Sequence, residues 1–308
     1  MSGSQWEMWN RLAFVYDRDR EIACRAYLDL IAGRRSENVD VALQLGLGSA
    51  MLIEVPHILK LIGDVQGKRV LDAGCGGGFY SIWLGEKGAR VLGVDTSEVM
   101  LEIARGKALA KKLDCEFRRG DVSDLDLDES TFDLVLSTLV LMNVKELDRA
   151  VGELFRVTRK GGHIIISLQH PLLTAGDWER ESGRKLFRKA DDYFRERERT
   201  EIWEDEQNEK VSLIGYHRSL QAYTKLFLDK GCVLFSLVEP YPHEAYKTLN
   251  PREYEDTRRI PHFVILKFEK IGVFTQDCGR SFSQRTVRER KGSVQTLLNH
   301  FHRIDQHL

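Results

Sequence analysis

From about residue 68 to residue 168 the chain alternates two hydrophobic periods: short apolar runs of strand length, and stretches whose apolar residues recur three and four apart. Residues 68–72 read as a buried strand running into Gly74, Gly76, Gly77 and Gly78, and 80–87 as a helix closed by Gly88. A second strand, 90–94, ends at Asp95, after which Thr96 or Ser97 caps a helix with Met100, Leu101, Ala104 and Ala108 on one face. A third strand at about 115–118 stops at Gly120-Asp121, and 132–137 is a fourth. The next helix buries Leu147, Val151, Leu154 and Phe155, with Gly161-Gly162 expected to end it before a fifth strand at 163–168.

Beyond the fifth strand the pattern changes. Residues 178–210 are dense in both charge signs and carry Phe187, Tyr193, Phe194 and Trp203 without a clear strand period, so 172–212 reads as an insertion. A helix at about 219–230, stopped by Gly231, then precedes apolar strands at 233–238 and 263–268. Strands alternating with helices imply an α/β, doubly wound, mostly parallel sheet of seven strands with an antiparallel edge strand. The expected organisation is a helical cap at 1–64, a core domain at 65–270 and a tail at 271–308.

Composition narrows the function classes. Of 308 residues 42% are hydrophobic, enough for a large core, and 46 Lys plus Arg against 47 Asp plus Glu remove the broad basic field that nucleic-acid binding favours. The tail is locally different, since 279–308 holds six basic residues against two acidic ones; an anionic contact or a solvated helix fits it. The apolar runs at 134–142 and 164–168 fall short of the ~20 residues of a membrane-spanning helix. No secretory leader is expected at the N-terminus. A soluble cytoplasmic protein is expected, and Cys24, Cys75, Cys115, Cys232 and Cys278, odd in number, dispersed and free of a Cys-x-x-Cys pair, argue against a disulfide framework or a structural zinc site.

The sharpest chemistry lies in Val70-Leu71-Asp72-Ala73-Gly74-Cys75-Gly76-Gly77-Gly78, followed by Val91-Leu92-Gly93-Val94-Asp95. A strand, a glycine turn and a helix start let backbone amides approach a ligand, and an acid ending the next strand suits a ribose diol. A dinucleotide fingerprint from Gly74 requires a third glycine at 79, where Phe79 stands, and no Gly-Lys-Ser or Gly-Lys-Thr follows for a phosphate loop. Asp72, two residues before the first glycine, would repel a pyrophosphate and suits a ligand with a cationic amino-acid group and an adenosine. Cys75 is expected to be a small filler, because nothing places a base beside it.

The chain resembles the class I S-adenosylmethionine-dependent methyltransferases, in particular their small-molecule branch, over about residues 10–270. The resemblance rests on VLDAGCGGG (70–78), GVDTS (93–97), GDVSDL (120–125), FDLVLS (132–137) and RVTRKGGHIII (156–166). It implies a Rossmann-like fold with S-adenosyl-L-methionine as cofactor. Gly74, Gly76 and Gly78 would approach the methionine part, Asp95 and Thr96 the ribose, Met100 the adenine face, and Asp121 with Val122 the adenine edge. Ser137 and the residues after it would floor the reaction centre. Tyr16, within 9–17 (WNRLAFVYD), is similar to the family's amino-terminal lid segment, and Tyr80, which starts the first core helix, either faces the methionine carboxylate or only packs.

For the acceptor, methyl transfer needs two substrates held close and water excluded, and a general base only if the acceptor must lose a proton. His170, in Ser167-Leu168-Gln169-His170-Pro171, is the first candidate base, and fixing its loop is the structural alternative. His217 either reaches the acceptor pocket or caps the following helix. Methyltransferases of exocyclic amide or adenine nitrogens carry Asn-Pro-Pro-aromatic where this chain reads Ser137-Thr138-Leu139-Val140, which argues against those acceptors. Leu139, Leu141, Met142 and the aromatic insertion suggest a lipophilic or aromatic small acceptor under a lid; the insertion can equally serve a homodimer contact. An RNA methyltransferase and a non-catalytic S-adenosylmethionine-binding scaffold are the alternatives.

Overall fold

In the computed structural model the residues described are 5–45, 50–181 and 184–272, all within one compact unit of residues 1–272. The basic segment of the tail lies outside them. Three helices lead in: α1 (Gln5–Ile31), α2 (Glu37–Leu45) and, after a 3-10 turn at Ala50–Glu54, α3 (Val55–Ile62), which has Pro in its first turn. Then come β1 (Arg69–Ala73), α4 (Phe79–Glu86), β2 (Arg90–Asp95), α5 (Glu98–Lys111), β3 (Cys115–Arg119), β4 (Phe132–Thr138), α6 (Leu147–Val157) and β5 (Thr158–Gln169). A short α7 (Pro171–Thr174) opens the insertion, which folds as β6 (Gly176–Glu181), β7 (Arg184–Ala190), β8 (Arg197–Glu204) and β9 (Lys210–His217). The chain closes with α8 (Leu220–Asp229), β10 (Cys232–Val238), α9 (Tyr246–Leu249), α10 (Pro251–Thr257) and β11 (Phe263–Lys270).

Seven strands form one sheet in the order β10-β11-β5-β4-β1-β2-β3. The strands β1 to β5 pair in parallel; β11 runs antiparallel to both β5 and β10, so the reversed strand lies one place in from the edge. Strand alternation divides the core. Val70, Leu134, Leu136, Ile165 and Ile265 face α3 and α4, whereas Leu71, Val135, Ile164 and Leu266 face α6 and α8. Winding starts at β1, proceeds outward to β3, then returns to β4 on the other side. The ends of β1 and β4 therefore border the switch-point crevice where ligands bind in such sheets.

Three sequence expectations change. Gly161 and Gly162 do not stop α6: the helix ends at Val157, and Lys270 Nζ takes up the carbonyls of Phe155 (2.7 Å) and Thr158 (2.6 Å). The glycines lie inside β5, in a register break between the Phe132–Thr158 and Leu134–His163 pairs. The charged insertion is two antiparallel hairpins, and along β8 half-buried Arg197, Arg199, Glu201 and Trp203 alternate with exposed residues. Three of the four inward positions of β8 are charged, which hides its period of two from a hydrophobic reading. Helices α9 and α10 went unread between the closing strands, although Asn250 caps α10 by accepting the Glu253 amide (3.0 Å) just before Pro251.

Candidate active site

At the end of β1 the backbone amides of Gly74 and Cys75 both donate to the Val94 carbonyl (2.7 and 3.0 Å), which pins the glycine turn to the end of β2. Gly74 adopts φ +80° in contact with Val140, which follows β4, and Gly78 caps α4 at φ +82° with Ala104 of α5 beneath it. The turn borders a cavity of about 830 Å³, open mouth included. Its walls bring together the predicted Tyr16, Gly74, Gly76, Tyr80, Asp95, Thr96, Met100, Val122 and Leu139. They also include Thr138 and Val140, which follow Ser137, and Trp9, Asp17, Arg20, Cys75, Gly77, Phe79, Gly120 and Asn143, which the sequence did not single out as site residues.

Asp95 is the most constrained polar group in this wall. Its Oδ2 accepts the Gly76 amide and its Oδ1 the Ser97 amide, each at 2.9 Å. Burial raises its carboxyl from the usual range while these amides oppose the shift. Ser97 caps α5 by accepting the Met100 amide (3.2 Å) and also donates to Asn10 Oδ1 (2.6 Å), so the helix carrying Met100 is tied to α1. Leu139 holds φ +57°, a conformation few leucines adopt, with its amide tied to the Ser167 carbonyl (2.9 Å).

The outer wall comes from α1, through Trp9, Tyr16, Asp17 and Arg20. Lys107 of α5 bridges Asp17 and Glu21 (2.6 and 2.8 Å), and Asp17 lies against Gly77. On its other side α1 meets the second hairpin: Leu12 packs with Val211 and Leu213, Arg11 Nε donates to Asp205 (3.1 Å), and Tyr16 meets Trp203 with ring centres 6.0 Å apart. The insertion thus acts on the cavity through α1. Arg20 Nη1 donates to the Tyr16 hydroxyl (2.7 Å), while Nε and Nη2 are buried without a hydrogen-bond partner. Helical spacing on α1 was the available sign for Arg20, four residues after Tyr16.

Other predicted residues stand elsewhere. Alternation along β1 turns Asp72 toward α4, where it accepts the Ser81 hydroxyl (2.6 Å), and burial pushes its carboxyl up to about 6. It therefore does not face the cavity. Ser137 shares a face with Val135, leaving Thr138 and Leu139 to floor the cavity. Asp121 closes its own turn by accepting the Ser123 amide (2.9 Å) and hydroxyl (2.8 Å), and Val122 lines the wall. Met142 packs on the main core with its sulfur toward the Gln169 amide (3.4 Å).

The two histidines also turn away. Pro171 starts α7, and the His170 ring folds back so that Nδ1 accepts the Leu172 amide (3.1 Å), with Nε2 3.1 Å from a Glu239 carboxylate oxygen. His217 is fully buried between the Thr174 hydroxyl (2.6 Å) and the Tyr193 carbonyl (2.9 Å), and Ser219, not His217, caps α8. Burial lowers the pKa of both rings. It pushes the Cys75 thiol well above its usual value, consistent with an inert filler. Among the described residues no group of three or more His, Cys, Asp or Glu is placed to hold a metal, and no helix is long and apolar enough to cross a membrane.

Residues 71–166 match the family described as Methyltransferase domain. A crystal structure from Listeria monocytogenes, titled "putative S-adenosylmethionine dependent methyltransferase", superposes with a TM-score of 0.63 at 30% identity over 71% of this chain and 97% of that one. A ubiquinone biosynthesis O-methyltransferase of Alkalilimnicola ehrlichii is 34% identical over 37% of this chain and 47% of its own length. A malonyl-[acyl-carrier protein] O-methyltransferase of Serratia marcescens is 35% identical over 36% and 42%. The chain thus spans less than half the length of these two curated relatives.

Proposed function

Because the chain belongs to the S-adenosylmethionine-dependent methyltransferases, we propose that its cavity holds S-adenosylmethionine beside a small molecule and transfers the methyl group to an oxygen, nitrogen or sulfur atom. The observation that carries this reading is the pairing, in one cavity, of an amide-anchored carboxylate with a guanidinium that has unpaired donors. Asp95 can accept from the two hydroxyls of a ribose, and Arg20 can donate to a carboxylate. A nucleoside bearing an amino acid fits both, with Met100 and Val122 as apolar walls for the base. No pyrophosphate is needed to explain any of these groups.

When bound, the cofactor supplies a methyl group activated by a sulfonium. The protein positions and shields. Trp9 and Tyr16 on α1 cover the cavity, and the hairpin that holds Leu12 and Arg11 keeps that helix down, which excludes water from the reacting atoms. Thr138, Leu139, Val140 and Asn143 floor the part of the cavity beside Gly74 and bring an acceptor into line. With His170 and His217 turned away, an acceptor that ionises readily, such as a phenol, carboxylic acid or thiol, needs no base from either ring.

The lining favours a lipophilic or aromatic acceptor, and the relatives named as O-methyltransferases make oxygen the first atom to test. Four free cysteines among the described residues support a reducing, cytoplasmic setting. The test is calorimetric titration with S-adenosylmethionine and with NADH, followed by a screen of small phenols, carboxylic acids, amines and thiols. Binding of the first cofactor alone, with methyl transfer to a member of the screen, is the expected result. NADH binding would overturn the assignment, and cofactor binding with no turnover across acceptor classes would favour a scaffold.

A further inference from the structure

Behind Arg20 lies a carboxylate that neither the glycine loop nor the acceptor floor explains. Glu54 occupies the N-cap position of α3 but leaves that helix uncapped, and its side chain is fully buried. It points at Arg20, with Oε1 3.6 Å from Nη2, too far for a hydrogen bond, and the Ser167 hydroxyl is the uncharged polar group beside it that favours its ionised form. The Arg20 guanidinium lies 5.3 Å from the centre of the Tyr16 ring and 5.8 Å from that of Tyr80. A buried ion pair is normally closed by hydrogen bonds on both sides, because desolvation otherwise outweighs the attraction. This one is left open, and its cation lines the cofactor cavity.

We propose that Glu54 is a placeholder counter-ion, balancing Arg20 in the free protein and releasing it to the cofactor's methionine carboxylate on binding, with uptake of one proton from solvent by Glu54. The proposal rests on the assignment of the cavity to S-adenosylmethionine. Its physical basis is charge. Two carboxylates around one guanidinium in a water-poor site cannot both stay ionised without cost, since burial and mutual repulsion each favour protonating one. An amino acid's α-carboxylate is the stronger acid, and burial already raises the Glu54 carboxyl, so the buried glutamate takes the proton.

The groups facing Glu54 agree. From α1 come Tyr16, Arg20 and Cys24, from α4 Tyr80, and from β5 Ser167; Arg20 is the charged one among them. Asp72 of β1 also feels Arg20. Burial pushes Glu54 up to about 7, against the pull of Arg20 and of the Ser167 hydroxyl. A second anion on Arg20 removes that pull.

The experiment is calorimetric titration of the full chain with S-adenosylhomocysteine at pH 8, in phosphate and in Tris, whose ionisation heats differ. Expected is uptake of roughly half to one proton per ligand, with affinity falling by up to about tenfold per pH unit above neutrality. Methylthioadenosine, which has no amino-acid part, should bind without uptake. In Glu54→Gln, uptake on S-adenosylhomocysteine binding should vanish and affinity should become flat with pH. Binding without uptake in the unaltered protein, equal uptake with methylthioadenosine, or uptake that persists in a folded Glu54→Gln protein would each overturn the proposal. Failure of S-adenosylhomocysteine to bind at all would overturn the cofactor assignment and this proposal with it.

Discussion

Gly74 and Val140 meet across the switch point: a Cβ built on Gly74 would overlap Val140 Cγ2 and lie 2.9 Å from Cγ1. The turn after β1 and the turn after β4 are thereby interlocked, and the cavity wall depends on both. In Gly74→Ala the new methyl must displace Val140 while the residue keeps φ +80°, so a loss of roughly 1–3 kcal/mol of stability is expected. Adding Val140→Ala removes the clashing atoms and leaves the backbone strain, so urea unfolding should show partial recovery. A double variant no more stable than the single one would mean that backbone conformation alone excludes a side chain here.

Asp95→Ala deletes the acceptor of the Gly76 and Ser97 amides and the proposed partner of the ribose hydroxyls. Affinity for S-adenosylhomocysteine should fall by about 1–3 kcal/mol, or about 5- to 150-fold. Unchanged affinity in calorimetry would remove Asp95 from the cofactor site.

Asp72 titrates at about 6 because it is buried, above its ordinary value of 3.8. Between those two pH values the folded state holds more of this proton than the unfolded state does. Its contribution to stability is therefore present below pH 4 and lost as pH rises through 6. Asp72→Asn keeps an acceptor for Ser81 without the charge, so it should match the parent near pH 3.5 and exceed it at pH 8 by on the order of 1–3 kcal/mol. Urea midpoints at both values check this, and an equal difference at the two would contradict it.

His170 caps α7 through Nδ1, a role asparagine performs equally well. His170→Asn should therefore retain methyl transfer within about threefold, whereas loss of a general base would lower kcat by about 10²–10⁴. Steady-state rates with the acceptor found in the screen separate the two.

Local patterns carry local structure, and in this chain they located all seven strands of the main sheet, the glycine turn, the Asp95 position and, to within Thr96 or Ser97, the cap of α5. Strand and helix periods, and the need for glycine at a left-handed turn, are properties of a few consecutive residues. The hairpins of the insertion escaped because their inward positions are arginine, glutamate and tryptophan as well as aliphatic residues. The histidines could not be placed from sequence, because a ring at the carboxyl edge of a sheet can turn inward or back onto its own loop. Pro171 and the Thr174 hydroxyl decide that only once folded. Arg20 and Glu54 lie 34 positions apart, and nothing in the sequence between them marks them as a pair. Packing of α1 and α3 against the end of the sheet removes water from both and makes them one site. That desolvation is a property of the assembled interior, which is why the residues lining the turn could be read in advance and their buried counter-charges could not.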